Sequence, residues 1–329
     1  MNAKFILVSL AAILPLAINI AGIIICKRKT GARFGCYVIG AICFIVFAMG
    51  LEQILHQNCL LAENAISAAL NNSPVLYALY AAFAAGIFEE TARLVAYKFL
   101  LKKYKDPAVS IMYGIGHGGI EMILVIGSTY LIYMLFMCGV SFGTAEMDAT
   151  LLATIMSIDN SIIVVALLER FIALALHIGL SIMVFKAHIN HDIKWFFIAI
   201  AFHVLSDLPA AFYQRGYLSI PIVEIWCAVI AIIVLYIAIR LYKPIRANYL
   251  AEKEANMHFG FCLKDCDRCP DETCAGCRRE GPKSEICENL CEMRRCGLDK
   301  HINTCEDCPD HKTCGAFIEM QRVIKEEGV

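Results

Sequence analysis

Hydrophobic positions gather into seven long blocks, and the breaks between them are short and polar. The blocks run roughly over 4–26, 34–55, 75–101, 109–136, 160–186, 195–213 and 219–241. As a helix, each reaches across about 30 Å of hydrocarbon. The pattern predicts an all-α polytopic membrane protein with seven transmembrane helices. The first block exceeds the apolar core of about 7–15 residues expected of a signal peptide, and no clear A-x-A site precedes its basic cluster. It is read as an uncleaved helix.

The polar breaks carry an orientation signal. Lys27, Arg28, Lys29 and Arg33 fill the first, Lys102, Lys103 and Lys105 the third, and Lys186 and Lys194 the fifth. Arg240, Lys243 and Arg246 follow the last block. The alternate breaks, 56–74 and 137–158, have no Lys or Arg, and 214–218 has only Arg215. This alternation predicts an outside N-terminus, a cytoplasmic C-terminus and a multi-pass place in the cell membrane.

Composition agrees. The chain of 329 residues is 59% hydrophobic and 18% charged, with mean hydropathy +0.63. A soluble domain has about 25% charged residues. The net charge of -1 offers no basis for a nucleic-acid partner. The bilayer is the partner that the apolar excess implies.

A second region follows the last block, dividing the chain into 1–246 and 247–329. It holds Cys262, Cys266, Cys269, Cys274, Cys277, Cys287, Cys291, Cys296, Cys305, Cys308 and Cys314. "CDRCPDETC" and "CEDCPDHKTC" form a short repeat, each opening CxxCPD. On the cytoplasmic side disulfides are disfavoured, and tight CxxC pairs read as thiolate sites for structural zinc. An iron–sulfur cluster or a redox dithiol is the alternative, and His301 or His311 is able to replace a cysteine. So short a segment builds little core, so a metal would stabilise it. The region is predicted to be a small metal-stabilised domain.

The third block raises the functional question. Its centre reads "GIFEETARLV", which puts Glu89, Glu90 and Arg93 inside a membrane span. Each such group costs roughly 2.5–3.5 kcal/mol on insertion scales. Glu89 and Arg93 are at i, i+4 and Glu90 and Arg93 at i, i+3, so all three share one helix face. The following blocks add His117 and Glu121, then Glu169, Arg170 and His177, then His203 and Asp207. Counted from the cytoplasmic ends, Arg93, His117, His177 and His203 lie about 12–15 Å deep, and Glu89, Glu121 and Asp207 about 18–20 Å deep. A lone membrane histidine is often a helix–helix hydrogen bond. Glu224 reads as structural or interfacial, Glu169 and Arg170 as groups that pair with each other's neighbours near mid-membrane, and Glu52 and His56 as outside the set. Four helices that aim carboxylates and imidazoles into one slab are harder to explain as packing.

Carboxylates beside imidazoles in a wet cavity suit water activation, with a glutamate taking a proton and histidines holding water or an oxyanion. The same ligands suit a divalent metal. A transporter or receptor-like protein that binds a cation or small solute in this cavity is the alternative. HExxH, GxSxG and GxGD are absent. Of the two glutamates, Glu89 lies within 40° of the direction of Arg93 and one turn deeper, and is expected to be the base; the other is expected to pair with Arg93.

"EETAR", "GHGGIE", a helix with an internal histidine and "FHVLSD" together resemble the YhfC family of intramembrane proteases over about residues 1–245. That family is similar to the PrsW proteases and, more distantly, to the CAAX-processing and bacteriocin-processing proteases. The resemblance implies an endopeptidase acting on a membrane or membrane-associated protein. It carries the glutamate of an EExxxR motif onto Glu89 or Glu90, the histidine of FxxxH onto His117 with Tyr113 in the aromatic position, and HxxxN or HxxxD onto His203 and Asp207. Two departures stand out: the arginine follows the second glutamate by three residues, not four, and Asp207 replaces the asparagine of the CAAX-type pair. The tail resembles, more loosely, a small cysteine-rich domain family, which again implies zinc.

Overall fold

Among the residues that the computed structural model describes, 2–255, 292–302 and 304–327, all regular structure is helical. Seven helices are long and apolar enough to cross a membrane. They are α1 (Asn2–Thr30), α2 (Phe34–Leu61), α3 (Pro74–Leu100), α4 (Ala108–Met137), α5 (Asn160–Ile189), α6 (Lys194–Gln214) and α7 (Ile220–Ala255). The chain is an all-α integral membrane protein. It divides into two compact units, Met1–Arg246 and Ala247–Val329.

Local sequence sets the helix starts. Ser73 caps α3, its Oγ accepting from the Leu76 amide at 3.3 Å, and Pro74 occupies the first turn, where its missing N–H costs nothing. Asp159 caps α5 through the Ser161 amide at 2.7 Å. π-helical turns interrupt α2 at Ile45–Glu52 and end it at Gln57–Leu61, end α3 at Ala96–Leu100, and interrupt α4 at Ile123–Gly127. The last two lie just beyond the polar residues of their helices, a frequent companion of functional sites.

The helices run longer than the apolar blocks. α2 continues to Leu61 and α7 to Ala255, because a helix does not stop where the hydrocarbon does, and "LAEKEA" is built of good helix formers. Two short helices, Ala65–Asn72 and Ala145–Ser157, lie in breaks where the apolar pattern predicts none. Capping explains both: Asn64 and Thr144 each accept a backbone N–H at the start. Lys4 closes the end of the second, donating to the carbonyl of Ile155 at 3.1 Å.

Ile6, Ile13, Ile20 and Ile24 of α1 are exposed, as are Ile225, Ile232 and Tyr236 of α7. In a bilayer these positions face acyl chains. Inside, small residues bring backbones together. A Cβ on Gly116 of α4 would come within 2.1 Å of the Tyr37 carbonyl oxygen of α2, and one on Gly40 within 2.3 Å of the Tyr113 carbonyl oxygen. The glycines of "YGIGHGGIE" thus let α4 sit deep among its neighbours and carry His117 to the centre of the bundle, where it is fully buried.

In the second unit, helices span Glu292–Lys300 and Gly315–Glu327. Cys262, Cys266, Cys269, Cys274, Cys277, Cys287 and Cys291 lie outside the described residues. Cys305 and Cys308 are buried, and with Cys296, Cys314 and His311 they line a cavity of about 190 Å³.

Candidate active site

α3 supplies the centre. Glu89, Glu90 and Arg93 are all buried, and Glu90 and Arg93 have no exposed surface. Arg93 is the hub: Nη1 donates to Glu90 Oε1 at 2.7 Å, Nη2 donates to His177 Nδ1 at 2.6 Å, and Nε donates to Ser181 Oγ at 3.3 Å. Its distance to Glu89 Oε2 is longer, 3.8 Å. A buried ion pair is tolerated when hydrogen bonds satisfy the rest of both groups. Arg93 and Glu90 Oε1 draw theirs from α5 and α6, whereas Glu90 Oε2 is buried with no hydrogen-bond partner among the described residues.

These contacts fix the proton positions on two imidazoles. A guanidinium only donates, so Nδ1 of His177 is an acceptor and the ring proton sits on Nε2. That nitrogen lies 2.5 Å from Glu121 Oε2 of α4. His203 of α6 donates from Nδ1 to Glu90 Oε1 at 2.7 Å, leaving Nε2 to face inward. Nε2 is 3.8 Å from Glu89 Oε2 and 3.4 Å from Asp207 Oδ2. His117 of α4 donates from Nε2 to Glu89 Oε2 at 2.8 Å. Its ring is held by the edge of Phe44 at 5.2 Å and the face of Tyr113 at 5.9 Å, so the aromatic four residues earlier acts as a platform for the histidine.

Three imidazoles from three helices therefore converge on one oxygen, Oε2 of Glu89; the third is His177, whose Nδ1 is 3.7 Å away. Oε1 of Glu89 accepts no hydrogen bond from a described residue, and Glu89 lines a polar cavity of about 90 Å³. Glu121, Glu169, Arg170, His177, His203 and Asp207 share that cavity. The structure thus brings together all eight residues that the sequence singles out, with Glu90, Arg93 and His117 behind the wall.

Several partners escape the sequence pattern. Arg170 donates to Glu121 Oε1 at 2.5 Å and also engages its neighbour Glu169. Ser181 supports Arg93, and Ser206 and Cys227 line the cavity. Lone serines and cysteines in apolar helices carry no distinguishing signal. Glu52 and His56 form a separate cluster: Glu52 Oε1 is 3.1 Å from His56 Nε2, whose Nδ1 is 2.9 Å from Tyr80 Oη.

The donor set fits a divalent cation. Glu89, His117 and His177 each place one ligand atom within 4.8 Å of the others, the only such group among the described residues. His203 Nε2 adds a fourth donor beside the same carboxylate. His203 turns its outer nitrogen to Glu90, the arrangement that orients metal-binding imidazoles, whereas His177 has Nε2 against Glu121 and Nδ1 on Arg93. Counted as ionised, Glu89, Glu90, Glu121, Glu169 and Asp207 outnumber Arg93 and Arg170 by three charges.

The profile described as YhfC intramembrane metalloprotease matches residues 12–231. This chain belongs to the YhfC family. The uncharacterized membrane protein YhfC of Bacillus subtilis (strain 168) is 30% identical over 250 residues, which cover 73% of this chain and 93% of that protein. No solved structure matches the chain. The YhfC match takes in the polar residues of α3, α4, α5 and α6 and ends before the cysteine-rich unit.

Proposed function

We propose that this chain is an intramembrane endopeptidase in which Glu89 activates the attacking water. The observation that carries the reading is the convergence of His117, His177 and His203 on Glu89 Oε2, beside a cavity that Glu89 lines. Glu90 is unsuited to the role, since it has no exposed surface and stands outside the cavity that Glu89 lines. Oε1 of Glu89 accepts the proton as water adds to the peptide carbonyl and returns it to the leaving amine, so protons balance over the reaction. Arg93 holds Glu90, and Glu90 holds the His203 ring with Nε2 inward.

Glu89 and His117 would hold a divalent metal, with His203 adjacent, and His177 would join them by turning its Nδ1 lone pair from Arg93 to the ion. Bound there, it supplies Lewis acidity that polarises the carbonyl and acidifies water. The basic breaks place the C-terminal unit in the cytoplasm, and its clustered thiols bind structural zinc. Cys305, Cys308 and Cys314 with Cys296 or His311 are the described candidates.

The test is cleavage of a membrane-peptide library by purified protein in vesicles. Cleavage that Glu89→Gln abolishes supports the reading; cleavage undiminished by Glu89→Gln removes it.

A further inference from the structure

α6 contains Pro209 two residues beyond Asp207. Proline has no N–H for the carbonyl four residues back, here Leu205, and its ring pushes that carbonyl aside. Within hydrocarbon an orphan carbonyl finds no water to pair with. The carbonyl is met from the next helix: Trp226 Nε1 of α7 donates to the Leu205 oxygen at 2.7 Å. Cys227 Sγ donates to the adjacent Ser206 oxygen at 3.4 Å. Two side chains of α7 thus clasp two backbone carbonyls of α6 beside the proline.

The position of the clasp matters. Ser206, Asp207 and Cys227 line the cavity that contains Glu89 and His203. Leu205 and Trp226 are 42% and 44% exposed on the outside of the bundle. The α6–α7 seam therefore connects the bundle's outer surface with the catalytic cavity, and the Trp226 and Cys227 side chains bridge it at this level. A peptide that reaches Glu89 must be unwound, since a helix shields its peptide bonds and uses its own N–H groups. Once unwound in hydrocarbon, it needs acceptors for those N–H groups.

Building on the peptidase reading, we propose that the α6–α7 seam is the substrate-docking edge: backbone N–H groups of an unwound membrane segment replace Trp226 and Cys227 on the carbonyls of Leu205 and Ser206. The substrate class follows. It is a single membrane span with a helix-breaking Gly or Pro near its middle, because an unbroken apolar helix has no N–H to give.

The chain's two tryptophans, Trp195 and Trp226, allow binding to be read apart from cleavage. Protein carrying Trp195→Phe and Glu89→Gln, in phosphocholine vesicles, is titrated with two synthetic spans of equal length. One has a central Gly-Pro, the other is unbroken Leu-Ala. Trp226 emission is expected to shift with the broken span alone. An equal response to both spans, or to neither, overturns the proposal. As a second measurement, a dansyl-labelled broken span should bind Glu89→Gln protein about tenfold more weakly when Pro209→Ala restores the α6 amide; unchanged anisotropy counts against the docking edge. Native protein that cleaves the broken span while Trp226 stays silent keeps the peptidase reading and removes this one. A Trp226 response without cleavage does the reverse.

Discussion

Glu90 and His203 stand on different helices and meet at 2.7 Å, and that contact decides which nitrogen of His203 faces Glu89. The two adjacent glutamates of α3 therefore have different surroundings: Glu90 is held by Arg93 and His203, whereas Glu89 lines the cavity.

Glu89→Gln should lower peptide cleavage by about 10²–10⁴ with the thermal midpoint nearly unchanged. Glu90→Ala should instead cost about 3–5 kcal/mol, because it leaves Arg93 buried without its closest counter-charge. Thermal unfolding and a cleavage assay on the same preparations separate the two. Equal losses of stability from both changes would contradict the division.

Metal content should fall in two independent steps. Elemental analysis of the full chain, purified under reducing conditions, should show the membrane-site ion lost in His117→Ala and retained in a Cys305→Ser, Cys308→Ser variant. The zinc of the C-terminal unit should show the opposite pattern. A single ion lost in both variants would rule out separate sites.

Gly116→Ala should destabilise the bundle by about 1–3 kcal/mol, since its new Cβ would meet the Tyr37 carbonyl oxygen at 2.1 Å and backbone yields little. Gly35→Ala is the matched control on α2, where a Cβ meets nothing within 4 Å. Thermal unfolding of both should show a drop for Gly116→Ala alone.

Sidedness is testable by labelling. Introduced cysteines at Lys29 and Lys103 should react with a membrane-impermeant maleimide only in inverted vesicles, and one at Asn72 only in intact cells. Each site is read by mass after proteolysis. Labelling of Lys103→Cys in intact cells would reverse the topology.

The apolar blocks made the spans legible because hydrocarbon leaves the backbone little choice but a helix. Depth counting then placed His117, His177 and His203 at the level of Arg93. Cross-helix partners stayed out of reach, since pairing depends on rotation of each helix about its axis. The sequence implies a partner for Arg170 near mid-membrane without naming it, and in the structure Arg170 pairs with Glu121 of α4 as well as with Glu169. Ser181, which steadies Arg93, is one polar atom among apolar residues and carries no pattern of its own. The short helices Ala65–Asn72 and Ala145–Ser157 were hidden for a different reason: their caps, rather than a run of apolar residues, define them.

The partners of Arg93 have a consequence for biosynthesis. α3 is the least apolar of the seven spans, and His177, Ser181 and His203, which satisfy its charges, belong to helices translated after it. Until α5 and α6 emerge, the charges of α3 lack those partners, and placing them in hydrocarbon is costly. A chain truncated after α4 would keep Glu90 and Arg93 without their later partners. The polar centre of the bundle is thus completed only when the later helices join α3.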